Sequence, residues 1–75
     1  MALTKLGFIV TGSDLASRMI MRSPTFEMIT VGVTSPAQGP DVARSLVEEG
    51  VQLIELCGGF GPLWTSRVID AIEVP

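Results

Sequence analysis

The distribution of apolar and polar positions along the chain predicts three strands. The run LGFIV (6–10) is continuously apolar, which is typical of a short strand buried on both faces. FEMITVGV (26–33) and VQLIELC (51–57) are rich in β-branched and other apolar residues, and we expect them to form the second and third strands. Segments that contain glycine, serine or proline follow each strand and mark loops.

Helical spacing of apolar residues follows the first and the third of these loops. In LASRMIMRS (15–23) the apolar residues recur at helical spacing, and Ser13 or Asp14 can cap the first turn through a side-chain oxygen. In LWTSRVIDAI (63–72) they form one apolar side, and the preceding Pro62 suits the first helical position. Both segments are therefore predicted to be helices.

A helix is also predicted in the middle of the chain, with two alternative starts. Ser35 and Gln38 have the spacing of a capping box, with Pro36 at the first helical position. Alternatively, Gly39 caps a helix that starts at Pro40. In either case the segment up to the next glycine is amphipathic, and that glycine is expected to end the helix in a left-handed conformation.

The order of these elements is βαβαβα, which predicts an α/β fold with parallel strands and right-handed crossover helices. We expect a three-stranded parallel sheet in the order 2-1-3, because the first strand is the most uniformly apolar and suits the centre. This architecture is flavodoxin-like, or resembles part of a β/α barrel. Residues 1–75 are expected to form a single domain that lacks a fourth strand after Pro75. The larger apolar side chains are expected in its core, among them Met19, Met21, Met28 and Trp64, although Trp64 could instead line a ligand site.

The composition limits the classes of protein that this chain can form. It has 75 residues, one cysteine and no histidine, so an intrachain disulfide and imidazole chemistry are excluded, and no metal or cofactor site is indicated. The net charge of −3 argues against a nucleic-acid surface, and the N-terminal apolar run is too short for a signal peptide or a membrane span. A free thiol without a targeting segment indicates the reducing cytoplasm.

The short length of the chain also favours self-association. A chain of this size buries only about 60% of its unfolded surface, and oligomerisation is the remaining means of stabilising it. A three-stranded parallel sheet would have two exposed edges. We therefore expect a homo-oligomer, most simply a two-fold dimer, formed by pairing of sheet edges or by packing of exposed helix faces.

The loops that lead from strand to helix in a parallel sheet meet at one edge, where ligands bind. The glycines of GGFG (58–61) allow the backbone to approach a ligand and to present its N–H groups beside a helix start, which suits an anion such as a phosphate. The alternative is a tight turn that needs glycine only for its dihedral angles. The candidate ligand-binding residues at this edge are Thr11, Gly12, Ser13, Thr34, Ser35, Gly58, Gly59, Phe60 and Gly61.

Cys57 and Glu55 are the candidate catalytic residues. A thiol at the end of a strand and beside a helix N-terminus can become a reactive thiolate, but cysteine is also a common buried residue. Strand alternation places Glu55 on the same face as Cys57. There the carboxylate would act as a general acid or base, or it would serve as the structural partner of an arginine or of backbone N–H groups.

The run VGVTSPAQGPDVARSLVEEGVQLIELCGGFGP resembles a set of short microbial proteins grouped only as a domain of unknown function. Their shared pattern is a VGV strand, an amphipathic helix ending in LVEEGVQ-IELCGGFG, and a helix followed by a VPVG strand. The resemblance covers about residues 26–75, and ELCGGFG (55–61) is its most specific motif. It implies a small α/β domain and supplies no activity. The present chain departs from the pattern at Gly39-Pro40, which interrupts the helix, and at its end, EVP.

Three functions are compatible with these features. The first is a module that binds a small molecule with an anionic group at the carboxyl ends of the strands. The second is a small enzyme that uses Cys57 or Glu55, and the third is a structural or assembly protein in which the glycines and Cys57 serve packing alone. The absence of histidine disfavours the enzyme, and a glycine loop beside a helix start disfavours the purely structural role. The binding module is therefore the preferred hypothesis.

Overall fold

A mixed four-stranded sheet with two α-helices forms the part of the chain that the structure, a computed structural model, describes, which is residues 2–73. The strands are β1 (Lys5–Thr11), β2 (Ser17–Ser23), β3 (Phe26–Val33) and β4 (Leu53–Leu56). The helices are α1 (Gly39–Glu48) and α2 (Gly61–Ile72). A single 3-10 turn precedes each helix, at Pro36–Gln38 and at Gly58–Phe60.

The strands lie in the order β2-β3-β1-β4. Strand β1 is parallel to both β3 and β4, whereas β2 is antiparallel to β3. The three strands expected from the sequence are therefore parallel, with β1 at their centre. The expectation of a three-stranded, all-parallel sheet with three crossover helices is wrong, because the segment predicted as the first helix forms the edge strand β2. A fourth strand after Pro75 would lie outside the described residues.

Residues 15–23 fit a period of two as well as helical spacing, so their sequence is compatible with a strand. Pairing with β3 selects the strand β2 over the helix. Residues 24–25 form a tight hairpin turn, and β2 then pairs with β3 along its whole length. This strand returns the chain to the amino-terminal edge of the sheet, which is the role expected of the helix. Met19 and Met21 are 70% and 68% exposed, so their interpretation as core residues is wrong.

Of the two alternative starts, the capping box is present, whereas Gly39 is the first residue of α1 and not its cap, because Gln38 occupies the N-cap position. Ser35 and Gln38 form a capping box around the 3-10 turn, and α1 continues directly from Gly39. Gly50 follows the helix with a φ of +93°, which is the left-handed conformation expected there. Pro62 occupies the first turn of α2, as expected.

Both helices pack on the same face of the sheet, which we call the helix face. The buried apolar residues of the described chain lie on this face, in the helices or in the adjoining loops, and they are Ile9, Ile29, Val33, Ala43, Leu46, Val51, Phe60 and Val68. The molecule measures 33 × 33 × 18 Å, so its thickness accommodates one sheet and one layer of helices. No helix in the described range covers the opposite face, which we call the open face.

Ion pairs on the helix face connect the edge strand to its neighbours. Arg18 donates two hydrogen bonds to the carboxylate of Glu49, just beyond the end of α1, at 3.0 and 2.5 Å. Arg22 Nε donates to Glu27 at 2.7 Å, and Lys5 Nζ lies 3.5 Å from the other oxygen of Glu27. The hydrogen bond from Arg18 lowers the pKa of Glu49, and the hydrogen bond from Arg22 lowers the pKa of Glu27.

These lowered pKa values predict a loss of stability in acid. A carboxylate with a lower pKa in the folded state stabilises the fold above its unfolded pKa, and it loses this effect as the pH falls through its folded pKa. We therefore expect the free energy of unfolding to decline as the pH falls through and below about 4.3, the ordinary value for Glu. Urea unfolding at a series of pH values measures this decline. Glu49→Gln should reduce it and Glu48→Gln should not, and equal profiles for the two variants would contradict the assignment.

A close contact between the helix layer and the loop after β4 gives a second prediction. A Cβ on Gly39 would lie 2.6 Å from Cε2 of Phe60 and 3.2 Å from Cγ2 of Val68, and both side chains are buried. We expect Gly39→Ala to reduce the free energy of unfolding by about 1–3 kcal/mol, because a rigid buried ring cannot move aside. Urea denaturation provides the measurement.

The matched control for this substitution is Gly58→Ala, since a Cβ at Gly58 meets no atom within 4 Å. We expect Gly58→Ala to have little effect on stability. Similar losses in the two variants would show that the contact with Phe60 is not the cause.

Candidate functional site

Three loops meet at the carboxyl edge of the parallel strands, as the sequence suggested. The loop after β1 spans residues 12–16, the loop after β3 spans residues 34–38, and the loop after β4 spans residues 57–60. The third loop contacts the end of β1, because a Cβ on Gly59 would lie 2.9 Å from Cγ2 of Thr11. It also meets the start of α1, directly after the second loop, where Gly39 packs against Phe60. The fold therefore brings the predicted loops together.

Cys57 connects the end of β4 to the end of β1 through hydrogen bonds. Its Sγ accepts a hydrogen bond from the backbone N–H of Thr11 at 3.3 Å, and its own N–H donates to the carbonyl of Ile9 at 3.1 Å. Its carbonyl accepts from the N–H of Phe60 at 3.2 Å. The side chain is half-buried and packs against the core. The hydrogen bond to Sγ thus comes from a backbone amide and not from a side-chain acid or base.

Glu55 lies apart from Cys57. It is exposed on the open face of the sheet, where it pairs in register with Phe8 of β1. Strand β4 ends at Leu56, so strand alternation does not extend to Cys57, which packs against the core on the helix face. The structure therefore does not unite these two predicted catalytic residues in one cluster.

Thr34 and Ser35 use their polar groups to start α1. Oε1 of Gln38 accepts hydrogen bonds from the N–H of Thr34 at 2.8 Å, from its hydroxyl at 3.0 Å and from the N–H of Ser35 at 3.1 Å. The hydroxyl of Ser35 accepts from the N–H of Ala37 at 3.3 Å. These two predicted ligand-binding residues are therefore engaged in a cap that belongs to the fold.

The loop after β1 forms a turn and does not cap a helix. The N–H of Gly12 donates to the carbonyl of Val33 at 3.0 Å, and its carbonyl accepts from the N–H of Leu15 at 3.1 Å. Ser13 and Asp14 are exposed, and Asp14 has a φ of +58°. The expectation that Ser13 or Asp14 caps a helix is wrong, because the residues that follow form β2.

The glycines after Cys57 leave the start of α2 open. No side chain caps either the 3-10 turn 58–60 or α2. A Cβ on Gly58 or Gly61 would meet nothing within 4 Å, and Gly61 has a φ of +66°. Phe60, by contrast, is only 2% exposed and belongs to the core, so its side chain is not available to a ligand. Of the predicted residues, Gly58, Gly59 and Gly61 present backbone at this edge, with Thr11 behind them.

None of the described hollows is lined by residues of the glycine turn 57–61. A groove of about 340 Å³ runs between the two helices beside Trp64 and Arg67, and two smaller hollows lie beside β2. Trp64 is half-buried against the core, which agrees with its interpretation as a core residue. A ligand at the glycine turn would consequently bind on an open surface.

The open face carries residues that the sequence did not single out as functional. Its apolar side chains were assigned to strands buried on both faces or to a helix. The signal that could have identified it is the period-two alternation of residues 17–23, with Met19 and Met21 on one side and Arg18 and Arg22 on the other.

The fold and the carboxyl edge define a small two-layer α/β protein with an open glycine turn at the start of its last helix. A family model of a family of unknown function (DUF6506) matches residues 4–75, and the chain belongs to this family. The resemblance stated from the sequence, to a group of unknown function, is thereby confirmed. No curated protein and no solved structure matches the chain.

Among residues 2–73, no group of three or more His, Cys, Asp or Glu side chains is arranged to hold a metal ion. Across the same residues, neither helix is long and apolar enough to cross a membrane.

The capping of α1 gives a prediction for this region. Replacing Gln38 with alanine leaves three donors without their acceptor, so we expect Gln38→Ala to lower the free energy of unfolding by about 1 kcal/mol. Gln38→Glu retains acceptor oxygens and should preserve most of the stability. Urea denaturation compares the two. Equal losses would show that the hydrogen bonds to Oε1 do not stabilise the helix start.

Proposed function

We propose that this protein binds a small molecule through an anionic group, and that the anion is held at the glycine turn before α2. The observation that supports this most directly is the difference between the two 3-10 turns that precede the helices. Ser35 and Gln38 cap the turn 36–38, whereas no side chain caps the turn 58–60, and neither α1 nor α2 has a side-chain cap of its own. Exposed N–H groups at a helix start attract anions.

The glycines allow such an anion to approach the backbone closely. The space where side chains would project from Gly58 and Gly61 holds no atoms within 4 Å. Gly59 packs on Thr11 and lies near Sγ of Cys57. These contacts hold the backbone of the turn in place. A turn with this support presents its N–H groups in a constant arrangement, and preorganisation of this kind lowers the entropic cost of binding.

Binding is favoured over catalysis by the surroundings of the two candidate catalytic groups. Sγ of Cys57 accepts its hydrogen bond from a backbone amide, and Glu55 lies on the open face. A nucleophile needs a neighbouring base or another activating group. The free thiol of Cys57 also supports assignment of the module to the reducing cytoplasm.

Titration with inorganic phosphate, followed by amide NMR, tests this proposal. We expect the amide signals of Gly58, Gly59 and Leu63 to shift in a saturable manner. The amides of Ala37 and Gln38, at the capped start of α1, serve as the internal control and should shift little. Pro62 has no N–H and gives no signal.

Two variants at one position sharpen the test. Gly58→Asp supplies a carboxylate to the open helix start and should abolish the phosphate-dependent shifts, because the side chain competes for the same N–H groups. Gly58→Ala adds a side chain without charge into open space and should retain them. Shifts of equal size at both helix starts, or shifts that persist in Gly58→Asp, would refute the proposed site.

A further inference from the structure

The open face of the sheet is apolar across all four strands. In one row of registered residues, Leu53, Leu6, Met28 and Met21 lie side by side from β4 to β2. The next row consists of Glu55, Phe8, Thr30 and Met19. Met19, Met21 and Leu53 are 70%, 68% and 46% exposed. A continuous apolar surface of this kind is uncommon on a monomer and marks an interaction site.

We propose that the open face is the interface of a homodimer, in which the sheets of two copies pack face to face and the helices lie outside. This inference does not depend on the proposed anion site. It replaces the edge pairing and helix-face packing expected from the sequence with a specific surface. The core of the dimer would then contain a second apolar layer, which a single copy with helices on one face lacks.

The size of the open face suits a second copy of this chain. Strands β1 and β2 have seven residues each, β3 has eight and β4 has four. At about 3.3 Å per residue and about 4.8 Å between strands, they present a face of roughly 410 Å². Two copies would bury about 820 Å² of flat face, and the relief of the side chains raises this towards the value of about 1,000 Å² that specific interfaces bury.

The open face carries two hollows that the methionines of a second copy would fill. A hollow of about 140 Å³ lies among Val10, Leu15, Ser17, Met19, Thr30 and Gly32, and a second of about 220 Å³ is lined in part by Met21 and Met28. The exposed Met19 and Met21 side chains project beside these hollows. A two-fold axis places the methionines of one copy against the hollows of the other, and methionine is flexible enough to fill irregular gaps.

The charges on this sheet agree with such an interface. On the helix face, β1, β2 and β3 carry Lys5, Arg18, Arg22 and Glu27. Among the described strand residues of the open face, the one formal charge is Glu55, on the edge strand β4. An apolar centre with its charge at the margin is the usual anatomy of a protein interface.

The mass of the whole chain in solution provides the first test. Light scattering or sedimentation should give twice the chain mass of 8.0 kDa, with dissociation on dilution. Met21→Glu places a charge in the interface and should weaken the dimer by about a hundredfold or more. The matched control is Ile20→Glu, on the same strand but on the helix face, where Ile20 is 42% exposed. It should leave the dimer intact.

Oxidation of methionine in the unaltered chain gives a test that needs no variant to fold. Excess hydrogen peroxide transfers one oxygen to the thioether, which gives the sulfoxide and water. At a fixed peroxide concentration, the oxidation of Met19 and Met21 should slow as protein concentration rises across the dissociation range, with free methionine as the reference.

Three results would overturn the proposal. The first is a monomeric mass for the unaltered chain throughout the micromolar range. The second is equal loss of the dimer in Ile20→Glu and Met21→Glu, which would point to the β2 edge and not to the open face. The third is oxidation of Met19 and Met21 at rates independent of protein concentration.

Discussion

The confinement of the core to one face of the sheet is the constraint on which the rest of the structure depends. The connection from β1 to β3 is made by the edge strand β2, so the two helices come only from the segments after β3 and β4. Both helices then pack over β1 and its neighbours, and Phe60 fills the space beneath the start of α1 at Gly39. The buried residues are consequently few. The open face is apolar, as is typical of a sheet face that is covered by another layer.

The same constraint explains what the sequence could and could not predict. Residues 26–33 were predicted as a strand with the bounds that the structure shows, because β-branched residues leave little ambiguity there. The capping box at Ser35 and Gln38 and the left-handed Gly50 also agree, since each depends on local backbone chemistry. Residues 15–23 fit two periods equally well, and their conformation is decided by hydrogen bonds to β3, which the local sequence does not contain.

The candidate site divides in the same manner. That three loops meet at the carboxyl edge follows from parallel strands, and the sequence was sufficient to place them there. Which of their residues remain accessible depends on contacts between distant segments. Gln38 engages Thr34 and Ser35, and the core takes up Phe60. The uncapped backbone before a helix is therefore that of the glycines at 58, 59 and 61, while Ser13 stays exposed in the turn after β1. The separation of Cys57 from Glu55 likewise follows from the early end of β4.

The ion pairs of β2 bear on the register of the sheet as well as on its energy. Arg18 and Arg22 are held on the helix face by Glu49 and Glu27. A shift of β2 by one residue would move every side chain of the strand to the opposite face of the sheet. The guanidinium groups would then lie on the open face and the methionines on the helix face. An exposed pair of this type contributes little to stability. Such a pair still distinguishes two strand registers of similar hydrophobic content. The two arginines therefore favour the native register, in which Met19 and Met21 lie on the open face.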